Sequence, residues 1–91
     1  MQTITETDLV RVAEYKAIKS IRIEETHDAH YRVYVVTTTE QKERTLTTLR
    51  DRESPREWAS LDTLVKNIRS KYGVIPHISL SLNYEIKGPD A

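Results

Sequence analysis

Cysteine is absent from this 91-residue chain. That excludes a disulfide framework, a thiolate metal site and a cysteine nucleophile, and it fits a reducing, cytoplasmic compartment. Glycine is nearly absent as well, with only Gly73 and Gly88. Phosphate-cradling loops need several glycines, because the backbone must come close to the phosphate oxygens, so a P-loop and a dinucleotide fingerprint are ruled out. No apolar run approaches the roughly 18 residues of a membrane span. The opening Met1-Gln2-Thr3-Ile4 lacks the basic and apolar regions of a signal peptide. An excess of either charge is missing too: 14 Lys+Arg balance 14 Asp+Glu. Affinity for random nucleic acid comes from neutralised phosphates, so zero net charge argues against a general polyanion binder. A chain this short buries only roughly 60–65% of its unfolded surface, which leaves room for one core and one domain.

What is present is well patterned. Leu9, Val12, Ala13 and Ala17 fall on one helical face within a segment from Thr5 to Lys16. Thr5 is the expected N-cap, and Glu6 and Asp8 suit the positive helix start. The period then drops to two at Ile21 and Ile23. His27-Asp28-Ala29-His30 reads as a hairpin turn leading into Tyr31–Thr39, a strand rich in Tyr, Val and Thr. Both faces of that strand carry apolar residues, as in a central strand. After a turn at Glu40-Gln41-Lys42, Arg44–Leu49 reads as a third strand and Arg50–Glu57 as a charged loop. Leu61, Leu64, Val65, Ile68 and Tyr72 mark the second helix, with Ser60 as N-cap and Gly73 as its stop. Beyond Pro76, Ile78, Leu80, Leu82, Tyr84 and Ile86 alternate with polar residues, a long final strand.

These elements predict one α+β domain over residues 1–87 with a tail at 88–91, in the order α-β-β-β-α-β. The first three strands form an antiparallel meander. The last returns after a helix, so it runs parallel to the third strand or pairs with the first. The result is a four-stranded, mainly antiparallel sheet packed with two helices. Leu64, Val65, Ile68, Ile78, Leu80, Leu82, Val33 and Val35 are the expected shared core.

Chemistry-bearing clusters are few. His27 and His30 around Asp28 could ligate a divalent metal, but structural zinc wants four ligands and no fourth is indicated; the plain reading is an exposed turn. His77, Ser79 and Ser81 share one strand face, yet Ser-His catalysis also needs an acid beside them. Glu24 and Glu25 point to opposite sides of a strand and cannot act together. The expectation is therefore no enzyme, no cofactor and no metal. Residues 42–72 hold eight Lys+Arg against five Asp+Glu, whereas residues 1–30 hold four against six. This polarity allows a nucleic-acid-facing surface built from Arg50, Arg52, Arg56, Lys66 and Arg69. Against it, the alternation of Arg with Asp and Glu in the loop repels as many phosphates as it attracts. Trp58, just before the Ser60 cap, is expected to pack beneath the helix start or, alternatively, to be displayed to a partner.

The segment Pro55-Arg56-Glu57-Trp58-Ala59-Ser60-Leu61-Asp62, running through Leu64 and Ile68 to Gly73-Val74, resembles small accessory proteins of plasmid partition and maintenance regions, the ParC-like proteins. The resemblance covers roughly 20 residues. It implies a bacterial, cytoplasmic accessory role and supplies no catalytic residues. The α-β-β-β-α order also resembles double-stranded-RNA-binding domains, but their basic second-helix start is replaced here by Ser60-Leu61-Asp62-Thr63.

The reading that follows is a small non-enzymatic accessory or adaptor protein acting through protein–protein contact, with a nucleic-acid-binding accessory factor as the alternative. Tyr34, Val36 and Trp58 are the candidate partner-binding residues. If both helices cover the same side of the sheet, Tyr34 and Val36 are left on an open face. Ile21, Ile23, Leu46 and Leu49 are expected to make that face apolar enough to drive homodimerisation, either sheet against sheet or edge to edge through the final strand.

Overall fold

A threonine and a serine set the two helix starts. The structure, a computed structural model, describes residues 2–82. Thr5 Oγ1 accepts the Asp8 amide at 3.2 Å and starts α1 (Glu6–Glu14). Ser60 Oγ accepts the Thr63 amide at 3.3 Å and starts α2 (Leu61–Tyr72). Each hydroxyl satisfies an amide that has no partner within the helix. α2 stops at Gly73, whose φ of 77° and ψ of −140° fall in a region that only glycine enters freely.

Six strands accompany the helices: β1 (Thr3–Thr5), β2 (Ile18–Glu25), β3 (Tyr31–Thr37), β4 (Arg44–Thr47), β5 (Glu57–Trp58) and β6 (Ile78–Ser81). They form one mixed sheet in the order β1-β4-β3-β2-β6. β2, β3 and β4 make the expected antiparallel meander. β1 joins β4 in parallel, and β6 joins β2 in parallel. β5 pairs with β3 at Tyr31↔Trp58 and Arg32↔Glu57. Since β2 occupies the other flank of β3, β5 prolongs the line of β4.

The fold is α+β with two helices, as expected, but the sheet is mixed and larger than four strands. The two extra strands are the shortest. β1 is three residues long and runs directly into a helix cap, and β5 is two residues long and sits at the end of a charged loop. Neither is long enough to show an alternation. The final strand pairs with the first strand of the meander, which was one of the two expected partners. Its predicted continuation through Tyr84 and Ile86, and the tail at 88–91, lie outside the described residues.

Both helices pack on one face of the sheet. There Leu9, Ile21, Ile23, Val33, Val35, Leu46, Leu64 and Ile68 form one core, closed at its margins by Ile4, Ile18, Trp58 and Tyr72. The sheet register explains the selection. Ile21 sits opposite Val35 and Ile23 opposite Val33, so their side chains share a face.

Four expected core residues are not buried. Val65 is 37% exposed, Ile78 48%, Leu80 44% and Leu82 42%. α2 meets the sheet along Leu64, Ile68 and Tyr72, a stripe of i, i+4 and i+8 that turns Val65 outward. Ile78 and Leu80 do point to the helix side, because they register with Ile21 and Ile23. However, α1 packs beside β1, α2 beside β5, and the helices touch each other. That layer lies toward the opposite side of the sheet from β6.

Candidate functional site

The open face of the sheet carries an ordered layer of charge. Arg22 lies over the Tyr34 ring at 4.3 Å. Its Nε and Nη2 donate to the two Glu43 carboxylate oxygens at 2.8 and 3.0 Å, a bidentate pair. Tyr34 Oη donates to Glu24 Oε1 at 3.1 Å, and Arg32 Nε donates to Glu57 Oε2 at 2.7 Å. The Arg22 hydrogen bonds hold the Glu43 carboxyl below the usual carboxylate range. Burial pushes the Tyr34 phenol up, and Glu24 adds to the shift.

This arrangement corrects the expectation that apolar residues of the neighbouring strands surround Tyr34 and Val36. Tyr34 and Val36 do lie on the face away from the helices, and both are half-buried. Ile21, Ile23 and Leu46 add nothing to that face: they are 1–2% exposed and belong to the core beneath. Leu49 lies beyond the end of β4. Arg22, Glu24 and Arg32 take their place, so the face is shielded by its own ion pairs. The alternation at residues 21–25 separates Arg22 and Glu24 from the isoleucines, but the register that sets Arg22 opposite Tyr34 puts the charged set, not Ile21 and Ile23, on the open face; the closure over Tyr34 also needs Glu43, from a loop 21 residues away.

Trp58 is 6% exposed and belongs to the core, so its ring is not displayed. Arg56 lies over it at 4.6 Å and reaches Glu6 at 3.2 Å. Nearby Tyr72 is pushed up to about 12, first by burial and then by Glu6, with Arg56 opposing.

The five candidate nucleic-acid cations are only partly gathered. Arg56 and Lys66 line one shallow depression of about 430 Å³ with Trp58, Thr63, Asn67 and Ser70. Arg50, Arg52 and Arg69 are exposed but lie outside it. Arg56 is paired with Glu6, and Lys66 with Asp62 at 3.2 Å. The loop itself is shaped by polar side chains. Asp51 Oδ1 accepts the Glu53 and Ser54 amides at 3.1 and 3.2 Å, and Thr48 Oγ1 accepts the Asp51 amide at 3.0 Å. Random-sequence duplex DNA is therefore expected not to bind measurably at physiological salt. Saturable, salt-sensitive binding in a fluorescence titration would contradict this, and its loss on Arg50→Glu with Arg52→Glu would place it on the loop.

Among the described residues, no group of three or more His, Cys, Asp or Glu could hold a metal ion. His27-Asp28-Ala29-His30 forms the turn between β2 and β3, with Thr26 Oγ1 accepting the Asp28 and His30 amides at 3.3 Å.

β6 is the remaining distinctive surface. Among the described residues it forms one edge of the sheet, and Ile78–Ser81 carries no charge. Ile78 and Leu80 are half-exposed on the helix side, and Leu82, just past the strand, is half-exposed as well. Among the described residues, no helix is long and apolar enough to cross a membrane. No protein-family model, curated protein or solved structure matches this chain.

Proposed function

We propose that this chain is a small non-enzymatic accessory or adaptor protein that acts through protein–protein contact, with β6 as its docking strand. The observation that carries this reading is the half-exposed Ile78, Leu80 and Leu82 stripe on a sheet edge. Sheet edges are usually blunted by charge, proline or a covering element. Ile78–Ser81 has neither charge nor proline, and its edge invites another strand. The ParC-like segment from Pro55 to Val74 gives the setting, which is plasmid maintenance in a bacterial cytoplasm.

The first partner is a second copy of the chain. Two β6 strands pair antiparallel about a twofold axis at Leu80. Leu80 then faces its own copy, Ile78 faces Leu82, and Ser79 faces Ser81. Apolar residues meet apolar ones, hydroxyls meet hydroxyls, and no like charges are opposed. The charged layer over Tyr34 disfavours the alternative of sheet against sheet.

Sedimentation equilibrium at about 100 μM, within the range where exposed apolar surface associates, is expected to give a dimer. Leu80→Asp is expected to give a folded monomer, and Tyr34→Glu is expected to stay dimeric. A monomeric wild-type chain would overturn self-association, and a dimer that survives Leu80→Asp would remove β6 from the interface.

A further inference from the structure

Where α1 ends, the chain turns through Lys16 at φ 55°. A left-handed residue just past a helix is usually glycine, because a Cβ crowds the neighbouring carbonyl there. Here a lysine occupies the position, held by its amide donating to the Ala13 carbonyl at 2.9 Å. Its placement has a consequence: Lys16 stands on the lip of a cavity of about 550 Å³ between the ends of α1 and α2 and the start of β2. Ala13, Ile18, Tyr72, Val74, Ile75 and Pro76 form the walls. Ile18 and Tyr72 are core residues at 4% and 6% exposure, while Val74, 96% exposed, stands at the rim. Among the described residues that line the cavity, Lys16 alone is charged, and none of the described carboxylates pairs with it.

A cavity of this size with mostly apolar walls and one charged side chain suits a small organic molecule with an apolar body and a single polar end. The sign of that end is set by Lys16, the one charged residue of the lining. Two helix C-termini together present about one negative charge, Glu14 in the last turn of α1 is offset by Arg11, and Arg69 and Lys71 add cations in the last turn of α2. Direct pairing with Lys16 therefore favours an anion. We infer that this cavity is a binding site for a small amphiphilic carboxylate, its hydrocarbon held between Ala13, Ile18 and Tyr72 and its carboxylate paired with Lys16 at the lip. This site is on the helix ends and does not depend on β6 or on dimerisation.

Decanoate and its uncharged counterpart decanol, titrated into the full chain by amide NMR below their micelle and solubility limits, separate the contributions. Decanoate is expected to bind saturably, one per chain, shifting residues 13–18 and 72–76. It is expected to bind up to about fivefold more tightly than decanol, the range of an ion pair at a surface. Lys16→Gly relieves the left-handed backbone and keeps the fold, and should bring decanoate to the affinity of decanol. Ala13→Leu fills the cavity and should abolish both. Leu80→Asp should change neither, which distinguishes this site from adsorption on the β6 stripe. The inference is overturned by a folded wild-type chain that shows no saturable binding, by binding that survives Ala13→Leu, or by a Lys16→Gly chain that keeps the preference for the carboxylate.

Discussion

Leu64→Ala is expected to cost about 3–5 kcal/mol of folding stability, and Val65→Ala less than about 1 kcal/mol. The two residues are neighbours on the same helix with similar side chains, so propensity differences between them are small beside this gap. What separates them is burial: Leu64 is 0% exposed and Val65 37%. Truncating Leu64 leaves a cavity among Leu9, Ile68 and the β3 valines, and the surrounding core relaxes only in part. A domain of this size has about 5–15 kcal/mol in total. The loss therefore lowers the melting temperature by about 12 °C or more, at 4–8 °C per kcal/mol. Thermal melts followed by circular dichroism, backed by urea titration, measure both variants. A Leu64→Ala chain melting within two or three degrees of wild type would mean that α2 does not present this face to the sheet.

The contrast between Leu64 and Val65 also marks where the sequence stops being informative. The helix was legible because its determinants are local: Ser60 before it, Gly73 after it, and an apolar repeat between. The strong strand at Tyr31–Thr37 and the turn at His27–His30 were legible for the same reason. The apolar repeat alone does not say which part of a wide stripe faces inward, since Leu61, Leu64, Val65 and Ile68 all fit one face. That choice is made by the partner surface. β6 shows the same limit more strongly. Its alternation was plain, and its apolar side does face the helix layer, but the helices stand toward β1 and β5, so Ile78 and Leu80 remain half exposed. No spacing along the chain encodes that lateral offset. The open face was misread: the alternation of Ile21 and Ile23 with Arg22 and Glu24 is plain, but the pairing with β3 decides which set faces the helices, and the isoleucines were expected on the open side. The pairing of Arg22 with Glu43 and its stacking on Tyr34 are long-range contacts. The cavity at Lys16 left one faint signal, a lysine where the end of an amphipathic helix would favour glycine.

Trp58→Ala is the second change with a large expected effect, about 3–5 kcal/mol. Trp58 is the only tryptophan in the chain, and its ring closes the end of the core beyond Leu46 where β5 meets β3. Arg56 covers the outer side of the ring and connects it to Glu6 at the start of α1. The residue thus holds the charged loop, the sheet and the first helix together at one point. Arg56→Ala separates the contributions. It removes a cation–π contact worth about 0.5–1 kcal/mol and a partly exposed ion pair worth up to about 1 kcal/mol, and it leaves the ring in place. Its expected cost is therefore well below that of removing the ring. Trp58→Phe keeps most of the apolar volume and should fall between the two. In the wild-type chain, tryptophan emission should be blue-shifted and poorly quenched by iodide, as befits a ring that is 6% exposed. A residue displayed for a partner would behave in the opposite way: emission quenched readily, and Trp58→Ala melting like wild type while partner binding falls. Unfolding curves for Trp58→Ala, Trp58→Phe and Arg56→Ala, read with iodide quenching of the parent, decide between a core tryptophan and a binding one.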